Sequence, residues 1–276
     1  MKKPEEKSIT KGTQKRITTK PPTGTTKNLP ANLMNFEADR DAGFEMAGRD
    51  AYAVPFLIVL QTNSPQCAED NGAYVKNAKP GMFFNTATKE LYDGKKGVIV
   101  VPASYQHKYT EWVPRDQGGG YRGEHLYEDI DTTKLQRDPS GKFILDSGNC
   151  LVDTCYHFCL QLTEQGPRMI VLALSSTQLK KSRNWMTLMK TIKLEGKGGH
   201  KFTPPMFSHC YKLMTVTESN DKGTWKGVAV ELDHMLSPTS EVTTYELAKQ
   251  FSQQINSNKA RAAEPSAQFT EEDGAF

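Results

Sequence analysis

The stretch from Gly97 to His125 constrains the fold of this chain more than any other part of it. It opens with four β-branched residues, Val98 to Val101, which favour an extended backbone. Because a strand sends alternate side chains to opposite faces of its sheet, Tyr105, His107 and Tyr109 are expected on one face. The other face is expected to carry Gln106, Lys108, Thr110 and Trp112. This pattern predicts that the first half of the stretch is a strand.

A glycine-rich loop follows this strand from Pro114 to Gly123. It holds Arg115, Tyr121 and Arg122 around three successive glycines. Aromatic rings stack on bases and cationic side chains neutralise phosphates, so strand and loop have the side chains that a single-stranded nucleic acid requires. The alternative is a core strand with an exposed hairpin, because aromatic residues are common in strands.

The rest of the chain alternates short strand-like segments with two helical ones. The predicted strands are 52–61, the hairpin 81–92, 143–146, 154–162, 169–174, 207–217 and 223–232. A helix is predicted to begin with a cap within residues 175–177 and to end near Leu194. A second helix is predicted from the capping-box spacing of Thr243 and Glu246. These segments together predict a mainly β protein with added helices.

Composition divides the chain into four segments. Residues 1–28 carry eight Lys or Arg and two Glu with few apolar residues, which predicts a disordered basic arm. Residues 32–236 are predicted to form the folded domain, and residues 237–256 the C-terminal helix. Residues 257–276 are polar and end in acidic residues, which predicts a disordered acidic tail. The basic arm either attracts phosphates or serves only solubility.

Composition also argues against several classes of protein. No apolar run approaches the roughly 20 residues of a membrane-spanning helix. The charged N-terminus lacks the apolar segment of a secretory signal. Five cysteines are an odd number in a chain without an export signal, which favours reduced thiols over disulfides. We therefore expect a soluble protein of the cytoplasm.

The chain has no strong motif for catalysis. The residues that could bind zinc are Cys150, Cys155, His157 and Cys159. They contain no Cys-x-x-Cys pair, and ordinary packed thiols are the alternative. Asp129, Asp131 and Asp146 lack the tight carboxylate pair of a Mg²⁺-dependent nuclease. Neither a phosphate-cradling loop nor a Gly-x-Ser-x-Gly elbow is present. We expect no enzymatic activity and no cofactor.

Two features of the sequence resemble single-stranded DNA-binding proteins. The last six residues, Glu271 to Phe276, resemble the acidic, Phe-terminated tip of bacterial and phage members of that family. The segments that resemble phage-encoded members are YAVPFLIVLQTNSPQ (52–66), KPGMFFNT (79–86), YTEWVPRDQGGGYRGEH (109–125) and LSSTQLKKSRNW (174–185). The resemblance covers roughly residues 50–235 and implies an OB-type β-barrel core with insertions. It also implies a protein that coats single-stranded DNA in phage replication or recombination, in the host cytoplasm.

Three sets of residues are candidates for the roles that this reading requires. Those expected to stack on bases are Tyr105, His107, Tyr109, Trp112 and Tyr121. Those expected to contact phosphates are Lys108, Arg115, Arg122, Lys180, Lys181 and Arg183. Those expected to bind replication or recombination enzymes are Glu271, Glu272, Asp273 and Phe276. Strand parity places Trp112 and Tyr105 on opposite faces, so one of these two is expected to be a core residue.

Other functions remain open from the sequence. A non-catalytic interaction or structural protein would use its tails only for solubility. A metal-dependent nucleic-acid enzyme would bind metal in stoichiometric amount. A strand-annealing protein is a closer variant of the main hypothesis and would speed the pairing of complementary strands.

Overall fold

The structure, a computed structural model, describes residues 38–39, 42–43, 53–139, 141–221 and 223–265. The predicted basic arm and the acidic tip lie outside the described residues. The chain divides into residues 1–46 and residues 47–276. The described part of the first unit is a turn in which the Ala42 N–H donates to the Asp39 carbonyl (3.1 Å). The described strands and helices belong to the second unit.

Strands dominate the described residues. They are β1 (Ala53–Val54), β2 (Leu57–Val59), β3 (Phe83–Asn85), β4 (Leu91–Tyr92), β5 (Val98–Trp112), β6 (Tyr121–Leu126), β7 (Gln136–Arg137), β8 (Phe143–Ile144), β9 (Cys150–Thr163), β10 (Gly166–Ser175), β11 (Leu194–Glu195), β12 (Lys201–Phe202), β13 (His209–Asn220), β14 (Gly223–Met235) and β15 (Arg261–Ala262). The α-helices are α1 (Leu179–Thr191) and α2 (Val242–Asn256). The predicted mainly β fold with added helices is confirmed. In the described part of the chain, no helix has the length and apolar character needed to cross a membrane.

The main sheet has a Greek-key strand order. β5, β9 and β10 follow one another as antiparallel neighbours, and β13 returns after α1 to pair with β5. β14 then pairs with β13, which gives the spatial order β14-β13-β5-β9-β10. Three consecutive strands with a fourth that lies beside the first is the Greek-key arrangement. The sheet curls into a half-barrel.

The long predicted strand forms in full as β5 and pairs with β9 along its length. Pro102 has no N–H to donate, and the register shifts between Pro102 and Ser104. The end of β5 also pairs with β6, while β8 and β7 continue the sheet from the start of β9. The connection between β5 and β9 is therefore an insertion that widens the sheet at one end.

Apolar side chains from all five Greek-key strands meet in one buried group, the inner cluster. It includes Val98, Val100, Cys155, Cys159, Ile170, Leu172, Leu174, Tyr211, Leu213 and Val228. A group with members from every strand is what a curled sheet encloses. Trp185 and Met189 of α1 complete the inner cluster, so α1 packs against the concave side. Burial of this apolar surface is the main source of stability for such a sheet.

The opposite, convex face of β5, β9 and β10 is covered by α2, which forms the outer cluster with it. Phe251 of α2 packs edge-on against Phe158 of β9, with ring centroids 6.2 Å apart. The Ser104 hydroxyl of β5 donates to Asn256 Oδ1 (2.9 Å). Ala248, Phe251 and Ile255 of α2 are almost completely buried. The two helices therefore lie on opposite faces of the sheet.

Two buried glutamine side chains bind the outer edge of β14. Gln61 Nε2 donates to the Lys226 carbonyl (2.9 Å), and Gln61 Oε1 accepts from the Lys226 N–H (2.8 Å). Gln178 Oε1 accepts from the Val228 N–H (2.9 Å). Gln61 lies just after β2, and Phe56, just before β2, forms a parallel bridge with β10. Residues 56–61 and the two amides thus link the edges of the curled sheet.

Three predicted boundaries differ from the structure. The predicted strand 52–61 is two short strands, since Pro55 between them lacks an N–H. The first helix ends at Thr191 rather than near Leu194, because Ile192 has an extended backbone. Residues 257–276 were predicted to be disordered, but β15 pairs in parallel with β1 and the side chain of Ala262 is buried. The described chain is therefore ordered beyond residue 257.

Candidate nucleic-acid interface

Aromatic side chains of β5 form a row on the α1 side of the sheet. Tyr105, His107 and Tyr109 share one face, as their spacing predicts, and their partners on β9 are His157, Cys155 and Asp153. The rings of Tyr105 and His107 are tilted against each other with centroids 6.5 Å apart. The row begins where the inner cluster ends, so it continues the concave face toward the insertion between β5 and β9.

Tyr127 lies over the outer end of this row. It belongs to the 3-10 turn Tyr127–Asp129 that follows β6. Its ring stacks on His107 (centroids 3.9 Å apart, 17°) and on Tyr109 (5.2 Å, 18°). Tyr127 is nonetheless 44% exposed. A ring that is supported by two others and still exposed is a platform on which a base can stack.

Tyr127 is not among the residues predicted from the sequence. Its acidic neighbours, Glu128 and Asp129, suggest a solvated loop rather than an aromatic contact. The hairpin pairing of β6 with β5 is the signal that places Tyr127 beside the row, because it returns the chain alongside Lys108.

The inner end of the row is closed by α1. The Tyr105 ring lies edge-on to His157 (5.2 Å), and His157 stacks on Trp185 (4.5 Å, 16°). Burial raises the pKa of Tyr105 and lowers the pKa of His157 to about 3, so both side chains are neutral near pH 7. His157 Nε2 lies 2.8 Å from Ser182 Oγ. These contacts hold the inner end of the row against α1, so their role is structural.

Two predicted stacking residues are buried and leave the candidate set. Tyr109 is 3% exposed because Tyr127 and Phe143 of the insertion cover it. Trp112 is also 3% exposed, and its Nε1 donates to Thr110 Oγ1 (3.0 Å). A ring without an exposed face cannot take a base. Trp112 belongs to the outer cluster and Tyr105 contacts the inner one, so their predicted separation is confirmed.

Tyr121 lies away from the row. It packs edge-on against Trp112 (5.5 Å) on the convex side of the sheet. The structure therefore brings together Tyr105, His107 and Tyr127 as the partly exposed rings of one surface.

The predicted phosphate contacts differ in how far their charge is already paired. Lys108 pairs with Glu124, and Lys181 Nζ lies 2.6 Å from Glu218 Oε1. Their charges are therefore partly neutralised within the protein. The side chain of Arg115 lies outside the described part of the structure.

The other three predicted cations are more available. Arg122, Lys180 and Arg183 are exposed, and none has an ion pair within 4 Å among the described residues. Burial raises the pKa of the Cys155 thiol, and the charge of Arg183 opposes that rise, which places Arg183 near the row. Arg183 is thus a cation of α1 that lies near the row, and Lys180 is a further exposed cation of the same helix.

Acidic side chains flank the outer end of the row. Glu128, Asp129 and Asp131 are exposed beside Tyr127, and Asp153 Oδ1 lies 2.5 Å from His107 Nε2. Like charges repel, so a phosphate is disfavoured at this end. Phosphate contacts are therefore expected toward α1 rather than around the turn that carries Tyr127.

The predicted zinc ligands do not converge. Cys159 lies in the inner cluster, and His157 bonds to Ser182. Cys155 instead lies near His107 and Asp153, and the potential ligand atoms of these three residues are all within 4.8 Å of one another. Burial raises the pKa of the Cys155 thiol, which disfavours the thiolate that a metal requires. A second group of this kind is Cys210, His234 and Glu241.

Comparison with known proteins places the chain in a family. The family described as Pam3 phage gp34-like protein matches residues 24–261, which is most of the chain. The chain belongs to this family. The match supports the predicted phage origin of this gp34-like family member, and it spans the row, both helices and all five Greek-key strands. No curated protein and no solved structure matches the chain.

Proposed function

We propose that this phage protein binds single-stranded DNA in the host cytoplasm, during replication or recombination, without catalysing a reaction. The exposed Tyr127 ring, stacked on His107 on the same side of the sheet as α1, is the observation on which this proposal rests. Aromatic platforms beside positive charge bind single strands because every base has a face that can stack. The stacked rings and the helix that carries the cations are on the same side of the sheet.

The strand order supports the OB-type barrel that the sequence resemblance implies. An OB fold is a five-stranded, partly open Greek-key barrel that uses the loops after its first and fourth strands to bind oligonucleotides. β5, β9, β10, β13 and β14 supply five strands in a compatible order. Tyr127 lies in the connection between the first two of them. A fold alone does not imply a function, so the proposal rests on the aromatic row and not on the strand order.

The position of α2 determines where a strand could run. The OB fold also binds oligonucleotides on the face of its second and third strands, and here α2 covers the convex side of β9 and β10. We therefore propose a path over Tyr127 and His107 toward Lys180 and Arg183. Bases would stack on the rings, and phosphates would contact the helix.

The proposal includes a partner. The acidic residues Glu271 to Asp273 and the terminal Phe276 would bind replication or recombination enzymes, with the ring in an apolar pocket and the acids steering the encounter. These residues lie outside the described part of the structure, so this element of the proposal rests on the sequence resemblance.

Fluorescence anisotropy with labelled oligo-dT and a matched duplex, across a salt series, tests the central claim. We expect tight, salt-sensitive binding to oligo-dT and much weaker binding to the duplex. Equal binding to both would overturn the proposal. Absence of salt-dependent binding would favour an interaction or structural protein. Cleavage that stops with a chelator would favour a metal-dependent enzyme, with His107, Asp153 and Cys155 as the first residues to substitute.

The substitution Tyr127→Ala tests the row itself. Loss of a stacking ring costs about 1–3 kcal/mol per base, so affinity for oligo-dT should fall roughly 5- to 150-fold. Tyr74→Ala is the matched control, because Tyr74 is similarly exposed and its hydroxyl donates to Glu69 Oε1 (3.5 Å) outside the row. Equal effects of the two substitutions would exclude Tyr127 as the platform.

A further inference from the structure

A pocket of about 530 Å³ lies on another part of the surface, between two loops and the β13–β14 hairpin. Its walls come from Asn77, residues 79–82, residues 93–95 and the facing strand residues 215–217 and Lys226. Three lysines from these separate segments line it: Lys79, Lys95 and Lys226. None of these residues belongs to the row described above.

The floor of this pocket is backbone that is joined by hydrogen bonds. The Thr215 hydroxyl donates to the Gly81 carbonyl (2.6 Å), and the Thr215 N–H donates to the Gly94 carbonyl (2.8 Å). A Cβ on Gly94 would lie 1.9 Å from the Gly81 oxygen, so only glycine allows the two loops to approach β13 this closely. The base of the pocket is therefore formed by the close packing of three segments.

Positive charge in the pocket is only partly compensated. Lys79 and Lys95 are exposed, and neither has an ion pair within 4 Å among the described residues. Lys226 Nζ donates to the neutral Thr217 hydroxyl (2.7 Å), which leaves further donors on the ammonium. Asp93 is the acidic side chain of the lining, and the N–H groups of Lys95 and Lys96 bind its carboxylate and hold its pKa low.

We infer that this pocket binds phosphate groups, and that its ligand is the sugar-phosphate backbone of the same single strand. Lysines are compact point charges that bind phosphate without fixed geometry. The lining contains no aromatic ring among its described residues, so bases would not be held here. The ligand would therefore be recognised by charge rather than by base stacking. This inference rests on the proposed function.

Removing the charges tests the inference. In the triple variant Lys79→Gln, Lys95→Gln, Lys226→Gln, the negative slope of log affinity against log salt should become shallower by about 2. This corresponds to roughly 0.7 for each lost phosphate contact with a single strand. The control triple variant changes Lys197, Lys201 and Lys259, which are exposed in the β11–β12 hairpin and after α2, to Gln. It removes the same charge and should leave the slope within about half a unit of the wild type. All six lysines are at or near the surface, and circular dichroism checks that both variants fold.

The outcomes separate this inference from the proposed function. If both triple variants reduce the slope equally while Tyr127→Ala still weakens binding, the pocket assignment is overturned and single-strand binding stands. If wild-type protein does not prefer oligo-dT, the proposed function fails, and the backbone assignment fails with it.

A second measurement distinguishes a strand from a free phosphate ligand. Inorganic pyrophosphate and oligo-dT are each titrated into ¹⁵N-labelled protein at constant ionic strength. We expect both to shift the amide signals of Gly81, Gly94 and Thr215, and the pocket triple variant to lose both responses. A response to pyrophosphate without one to oligo-dT would assign the pocket to a small phosphate compound and overturn the backbone assignment.

Discussion

At the scale of a single residue, His157 couples the stability of the curled sheet to pH. Its ring is completely buried between Tyr105 and Trp185, and its Nδ1 has no hydrogen-bond partner among the described residues. Burial lowers its pKa from 6.5 to about 3. Between these values the unfolded chain binds a proton that the folded chain does not, so stability is full above pH 6.5 and is lost as pH falls.

The substitution His157→Gln should therefore flatten the acid side of the stability profile. The free energy of unfolding is measured in urea from pH 7 to pH 4. Below pH 6.5 it should decline less steeply in the variant than in the wild type, by about 1.4 kcal/mol per pH unit. Gln can keep a hydrogen bond to Ser182, and the measured quantity is the slope rather than the absolute stability. His200→Gln, on an exposed histidine, is the control and should keep the wild-type slope. Parallel profiles for all three proteins would contradict the assignment.

Several elements follow from sequence spacing because the period of a strand or helix is a local property. Alternation in β5 separates Tyr105 from Trp112, and the structure places them in different clusters. The closing pair of strands, predicted as 207–217 and 223–232, is present as β13 and β14. Residue spacing shows which side chains share a face of the strand, but it does not show which of the two faces other segments cover. Tyr109 is buried because Tyr127 and Phe143 return over it, and that return is tertiary.

The candidate surfaces were harder to predict than the strands that carry them. Tyr127 reaches the row only through the pairing of β6 with β5. Lys79, Lys95 and Lys226 meet because two loops and a hairpin pack together, and no short sequence motif joins them. Lys108 and Lys181 have the expected charge, but the partners Glu124 and Glu218 come from other elements.

At the scale of elements, the junction of the two loops with β13 depends on Gly94. A Cβ at this position would lie 1.9 Å from the Gly81 oxygen and 2.1 Å from Thr215 Oγ1. We expect Gly94→Ala to lower the free energy of unfolding by about 1–3 kcal/mol or more, because the backbone must move to relieve the overlap.

Gly72→Ala is the matched control for this substitution in the same urea-unfolding measurement. A Cβ on Gly72 would meet nothing within 4 Å, so stability should stay unchanged or rise by up to about 1 kcal/mol through a less flexible unfolded chain. Similar stabilities for the two variants would show that the loops move apart without cost.

At the scale of the whole molecule, charge is divided between the ends of the chain. Residues 1–28 are strongly basic, while Glu271, Glu272 and Asp273 lie near the last residue. An acidic end can compete with DNA for the same cationic surface, and such competition is strongest at low salt.

A chain that ends at Pro265 should therefore bind oligo-dT more tightly than the full chain. Anisotropy titrations at low salt should show the gain, and the difference should shrink as salt screens the charges. A full-length chain with Glu271, Glu272 and Asp273 changed to Gln is the companion variant, and it should reproduce most of the gain. Unchanged affinity in both would exclude competition by the acidic end.

The curled sheet is fastened between β10 and β14 by the amides of Gln61 and Gln178 instead of by a continuous backbone ladder. Side chains can rotate away from their partners while every neighbouring strand stays paired. The curled sheet can therefore open locally between β10 and β14 at far lower free energy than global unfolding requires. Hydrogen exchange at the Lys226 and Val228 backbone amides would report this local opening separately from the opening of the rest of the sheet.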